Sequence, residues 1–141
     1  MDEFNQLQLE AHNGYRSLHQ AYPLKYDAKL ADQAQEWADE LNRTGRPKHD
    51  PNKDGAGENI AWGTINFATS SAATDMWYEE VSKYDYNNPG YQKGTGHFTQ
   101  IVWKDSEKLG CGISGSFVVC RYKPQGNFGF EKDYQANVLP K

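Results

Sequence analysis

The sequence has little that would cross-link, anchor or concentrate charge on the chain. Only two cysteines, Cys111 and Cys120, occur among 141 residues, which excludes a disulfide-dense scaffold. No stretch gathers Lys and Arg as a phosphate-tracking surface requires, and the net charge is −4, so no nucleic-acid partner is expected. No apolar run approaches the roughly 18 residues of a membrane span. Met1-Asp2-Glu3 opens neither a signal peptide nor a myristoylation site, which needs glycine in second place. Two compartments are consistent with this start: the cytoplasm, or secretion after removal of a targeting segment. HExxH, internal repeats and low-complexity tracts are absent, and no serine or cysteine has the surroundings of an activated nucleophile.

Aromatic residues supply what the modest apolar content does not. Four Trp, nine Tyr and six Phe give enough buried area for a core, and the length suits a single domain over 1–141. The spacing of the two cysteines is also informative. Gly115-Ser116 between them suits a type II′ hairpin turn, which needs glycine at its first central position. That turn pairs Ser114 with Phe117. Pair types then alternate outward, and Cys111 falls opposite Cys120 in a non-hydrogen-bonded pair with close side chains. Such cysteines meet disulfide geometry without distortion, which favours an oxidised, secreted protein over a cytoplasmic one with two free thiols.

Phe4, Leu7, Ala11, Tyr15 and Leu18 advance by three or four and predict a first helix, with His12 and His19 on its solvated flank. Asp27 caps a second helix through Leu30, Ala34, Trp37 and Leu41 to Thr44-Gly45, and the sequon Asn42-Arg43-Thr44 lies at its end. Residues 45–57 form a breaker-rich loop, followed by a short strand at Ile60-Ala61-Trp62. A third helix runs from Ser70-Ser71 through Ala73, Met76, Trp77, Val81 and Tyr84 towards Asn87-Asn88-Pro89-Gly90, and a short fourth one follows Gly94-Thr95-Gly96. The remainder reads as β-hairpin. Each helix has one apolar stripe and a sheet has two faces, so the expected fold is α/β, a three-layer α/β/α sandwich around a small central antiparallel sheet.

The third helix carries a carboxylate on its apolar arc. Advancing by about 100° per residue from Ala73 puts Trp77 at roughly 40°, Tyr84 at roughly 20° and Glu80 at roughly 340°, with Glu79 off the arc. An inward carboxylate requires donors or a cation. His49, His97 and Glu58 are the candidates to meet it, giving a cleft tetrad of His49, Glu58, Glu80 and His97, a zinc-type constellation in which the carboxylates either ligate the metal or orient the rings. A buried polar network that only holds loops together is the alternative reading. Trp62, Phe67 and the segment from Tyr84 to Tyr91 offer aromatic groups for an apolar groove. Within the 63–69 loop, Ile65 and Phe67 either pack into the core or, if the protein carries lipid, form part of a groove mouth.

Gly57-Glu58-Asn59-Ile60-Ala61-Trp62, Trp77-Tyr78-Glu79-Glu80-Val81, Gly94 to Trp103, and Gly110-Cys111-Gly112 with Val119-Cys120-Arg121-Tyr122 resemble successive signatures of the CAP superfamily. That family comprises cysteine-rich secretory, antigen-five and pathogenesis-related class-one proteins. The resemblance implies the same sandwich and a cleft of two histidines and two glutamates, which fall on His49, Glu58, Glu80 and His97. It further implies a divalent metal, often zinc, on the histidines, and sterol or fatty-acid binding. Many secreted relatives have further cysteines around the cleft loops, whereas here Ala56-Gly57 precede Glu58. The function expected is a non-enzymatic binding protein for sterol or lipid, in export, host interaction or defence. A metal-dependent hydrolase using the same cleft and a protein-interaction scaffold are the alternatives.

Overall fold

A computed structural model describes residues 1–141. Its helices are α1 (Glu3–Leu18), α2 (Ala28–Thr44), α3 (Ala72–Tyr78), α4 (Gly96–Val102) and α5 (Glu131–Asn137), and its strands β1 (Lys25–Tyr26), β2 (Gly57–Trp62), β3 (Lys108–Ser114) and β4 (Phe117–Lys123). The boundaries follow local chemistry. Asp2 and Asp27 cap α1 and α2 by accepting the amides of Asn5 at 2.8 Å and Leu30 at 2.9 Å. Gly45, at φ 70°, closes α2 through a bond from its N–H to the Leu41 carbonyl.

The sheet order is β1-β3-β4-β2. The hairpin has the register expected from its turn: Ser114 pairs with Phe117 and Cys111 with Cys120, with Gly115 at φ 57°. The two cysteines form a disulfide across a Cα–Cα distance of 4.1 Å. The sheet is mixed rather than wholly antiparallel, because β1, only two residues long, lies parallel to β3.

Alternation along the strands divides the interior into two layers. Val118, Cys120 and Tyr122 face α1, α3 and α4 in the larger core, while Phe117 and Val119 face Ala34, Ala38 and Leu41 of α2. Gly110 and Gly112 let α2 lie directly on β3, since a Cβ there would stand 2.1 Å from the Ala31 amide nitrogen or 2.4 Å from the Gln35 Cα.

Two helical expectations are corrected. The face of α1 turned inward is polar: Asn5, Gln8, His12, Arg16 and His19 are buried with Phe4, while Leu18 is exposed. His12 and His19, at 0% and 1% exposure, are therefore not solvated. Every polar group on this face has partners. Asn5 bridges the backbone of Cys111, Gln8 donates to the Ser70 carbonyl at 2.8 Å, and Arg16 donates to the carbonyls of Tyr22, Ile101, Trp103 and Ser106. Complete hydrogen bonding is what permits a polar stripe to be buried. Burial pulls the Arg16 pKa down to about 10, which leaves the guanidinium charged at neutral pH. The second correction concerns the third helix. It ends at Tyr78, and Glu79–Lys83 tighten into a 3-10 turn, so a uniform α-helical wheel does not apply at Glu80.

Candidate functional site

The chain's four sequence-predicted tetrad residues line one cleft of about 260 Å³, whose wall Asn59, Tyr91 and Asn127 complete. They arrive as two His–Glu pairs from opposite layers of the sandwich. Glu58 lies on β2 on the face towards α2, and His49 belongs to the loop that follows α2. His97 lies in the first turn of α4 and Glu80 follows α3, both in the other layer. The cleft is the seam between the layers at the outer strand of the sheet.

Each pair has the same internal geometry. His49 Nδ1 lies 2.8 Å from Glu58 Oε1, and His97 Nδ1 lies 2.8 Å from Glu80 Oε2. An ionised carboxylate accepts, so each Nδ1 donates to it, and in the neutral ring Nε2 is the nitrogen that keeps a lone pair. The rings are open to water, at 58% exposure for the His49 side chain and 37% for that of His97. Glu80 does more than orient a ring. Its Oε1 accepts the Phe98 amide at 3.0 Å and satisfies a free N–H in the first turn of α4. Glu79 is exposed, so the carboxylate that turns inward is Glu80, although the turn that carries it is 3-10.

Glu58 is wholly buried and is held from both sides. Its Oε1 also accepts the Asp50 amide at 3.0 Å, and its Oε2 accepts Arg121 Nε at 3.2 Å. On the other layer Asn59 Nδ2 donates to the His97 carbonyl at 3.1 Å and to the Tyr122 hydroxyl at 3.1 Å. Tyr122 in turn lies 2.7 Å from His12 Nε2. Sequence reasoning missed Asp50, Arg121, Asn59 and Tyr122. One signal was present: Arg121 continues the alternation of Phe117 and Val119, and an arginine on a buried face requires a buried acceptor.

The donor set suits a divalent ion in one respect and limits it in another. Two imidazoles whose Nε2 atoms make no hydrogen bond to the protein line a single cleft, and their Nδ1 atoms are held by carboxylates, as metal-bound histidines usually are. No group of three or more His, Cys, Asp or Glu side chains is placed to enclose an ion. A metal here would have two protein ligands and an open remainder of its coordination sphere.

Ile65 and Phe67 do not form a joint groove mouth. Phe67 is 2% exposed and belongs to the larger core, whereas Ile65 is 50% exposed on its loop. Phe67 shares that core with Ala73 and Trp77 of α3, where burying its ring removes apolar area from water.

The α/β/α sandwich and the signature segments that build its cleft point to the cysteine-rich secretory class. The model of the CAP, or cysteine-rich secretory protein, family matches residues 9–122, and the chain belongs to that family. It is 40% identical to the human Golgi-associated plant pathogenesis-related protein 1 over 145 residues, covering 98% of this chain and 94% of that protein. It is 39% identical to the secreted protein RBT4 of Candida albicans over 136 residues, covering 89% of this chain but 36% of that longer protein. Among solved structures, NaASP2 with Zn2+ superposes with a TM-score of 0.75 at 28% identity, covering 96% of this chain and 86% of that one.

Proposed function

We propose that this CAP-family protein is a non-enzymatic binding module whose cleft takes one divalent cation, zinc by preference, through Nε2 of His49 and Nε2 of His97. The observation that carries the reading is the matched state of the two rings: both line the same cleft, each Nδ1 is committed to a carboxylate, and neither Nε2 has a hydrogen-bond partner in the protein. Borderline-soft ions suit imidazole nitrogen. The zinc-containing NaASP2 structure, which shares this fold at 28% identity, supports the choice of metal. Two protein ligands are one fewer than the usual hydrolytic zinc site supplies, so binding is favoured over hydrolysis. The relative named as a secreted protein, together with the Cys111–Cys120 disulfide, supports an oxidising, extracellular setting.

Sterol or fatty-acid carriage is the second part of the proposal. It rests on family membership and on half-exposed apolar groups at Trp62 and Ile65, with Phe67 assigned to the core. Calorimetric titration with zinc tests the first part. The wild type is expected to bind one ion saturably and the His49→Ala, His97→Ala double variant none. Equal affinity in the two proteins rejects the site, and turnover of a peptide library by the zinc form would favour the hydrolase instead. For the cargo, saturable binding of radiolabelled sterol or fatty acid should weaken in Ile65→Asp. Absence of binding by the wild type discards carriage.

A further inference from the structure

Residues 45–56 carry His49 to the cleft, yet they contain no cysteine and form neither helix nor strand. Side-chain contacts at the ends of this segment are exposed: Trp37 Nε1 donates to the Lys48 carbonyl at 2.9 Å, and Asp54 lies 3.8 Å from Lys29 and 3.7 Å from Lys123. The middle is held differently. Arg121 stands directly opposite Glu58 in the β2–β4 register. Its Nη2 lies 3.1 Å from Glu58 Oε2 and also donates to Asp50 Oδ2. The Glu58 oxygen that Arg121 leaves free receives Asp50 N–H and His49 Nδ1–H. The Arg121 and Glu58 side chains are buried and that of Asp50 is mostly so, which makes this a low-dielectric contact rather than a screened surface pair.

We propose that Arg121 is the positioning residue of the His49 half of the cleft, acting as an ionic clamp that ties Asp50, and with it the loop, to Glu58 on the sheet. The clamp has two consequences for a cation. Arg121 occupies Glu58 Oε2, so Glu58 orients His49 instead of ligating the ion. The same contact fixes the backbone beside His49, so the imidazole meets the cleft without an ordering cost on binding. The other half needs no such clamp, because Glu80 is held by the Phe98 amide at the start of α4. This inference rests on the metal reading of the cleft, but its first test does not.

Arg121→Gln would leave Glu58 buried without its cation and endanger the fold, so the primary variant is Asp50→Ala, which keeps the Arg121–Glu58 pair. Amide hydrogen exchange over residues 45–56 is expected to rise about tenfold or more in Asp50→Ala, with β4 amides unchanged. Unchanged loop exchange overturns the clamp. Calorimetry with zinc alone supplies the second test. Asp50→Ala is expected to weaken binding about tenfold in the wild-type background and not at all in the His49→Ala background. Equal weakening in both backgrounds overturns the assignment to His49. Should the wild type take no zinc, the metal reading fails while the exchange result still decides the clamp.

Discussion

The four histidines of this protein divide into two pairs with opposite fates. His12 on α1 and His19 at its C-cap are buried and use both ring nitrogens: Nδ1 on a backbone carbonyl, of Gln8 or Leu139, and Nε2 on a tyrosine hydroxyl, of Tyr122 or Tyr78. His49 and His97 use Nδ1 alone, and on a carboxylate. A ring with both nitrogens engaged inside the core stabilises the fold and has nothing left for a ligand. One held from behind by a carboxylate, with its front atom in water, is oriented but unspent. The difference lies in what surrounds the ring, since the residue type is shared.

The largest separation between the pairs is expected in stability. His12→Ala removes the acceptor of the Tyr122 hydroxyl inside the core, leaving Asn59 as its one remaining partner, and should cost about 2 to 4 kcal/mol in urea unfolding. Comparable loss on replacing an exposed residue would break the distinction.

Next comes the pH dependence. Burial lowers the His12 pKa from 6.5 to about 4. Between these values the unfolded chain binds a proton that the folded chain refuses, so stability is complete above about 6.5 and falls as the pH drops towards 4. The loss should reach on the order of 3 kcal/mol. Burial shifts His19 in the same direction. Urea unfolding at stepped pH should show a shallower acid slope for His12→Gln than for the wild type, and parallel slopes would contradict the buried neutral ring.

Within the cleft, the two adjacent glutamates sharpen the comparison. Glu80→Ala leaves the Phe98 amide and His97 Nδ1 without their acceptor and should cost about 1 to 3 kcal/mol in thermal unfolding, whereas Glu79→Ala should stay within about 0.5 kcal/mol. The smallest effect is expected at His49. Its removal leaves Glu58 paired with Arg121 and should change stability by no more than about 0.5 kcal/mol.

Features governed by neighbours in sequence were legible before the structure. The Gly115-Ser116 turn set the hairpin register and hence the disulfide, and Asp27 and Gly45 bounded α2, because caps and two-residue turns are decided within a few residues. The CAP signatures carried the fold and located the tetrad. What depended on the surroundings of an element was not legible. On α1 the apolar residues suggested one inward face, but contacts from α3, α4, β3 and the C-terminal residues let a polar face be buried with every group bonded. The change to 3-10 geometry after Tyr78 was hidden for the same reason, as was the Asp50–Arg121–Glu58 contact, which joins residues 71 positions apart.

The contrast between the two pairs is tested most directly at the ring nitrogens themselves, by following the 15N signals of all four histidines by NMR as zinc is added. Nε2 of His49 and of His97 should move together and saturate with one equivalent of metal, while both nitrogens of His12 and His19 stay where they are. Movement at His12 or His19, or no movement at His49 and His97, would contradict the assignment of one pair to the fold and the other to the ligand.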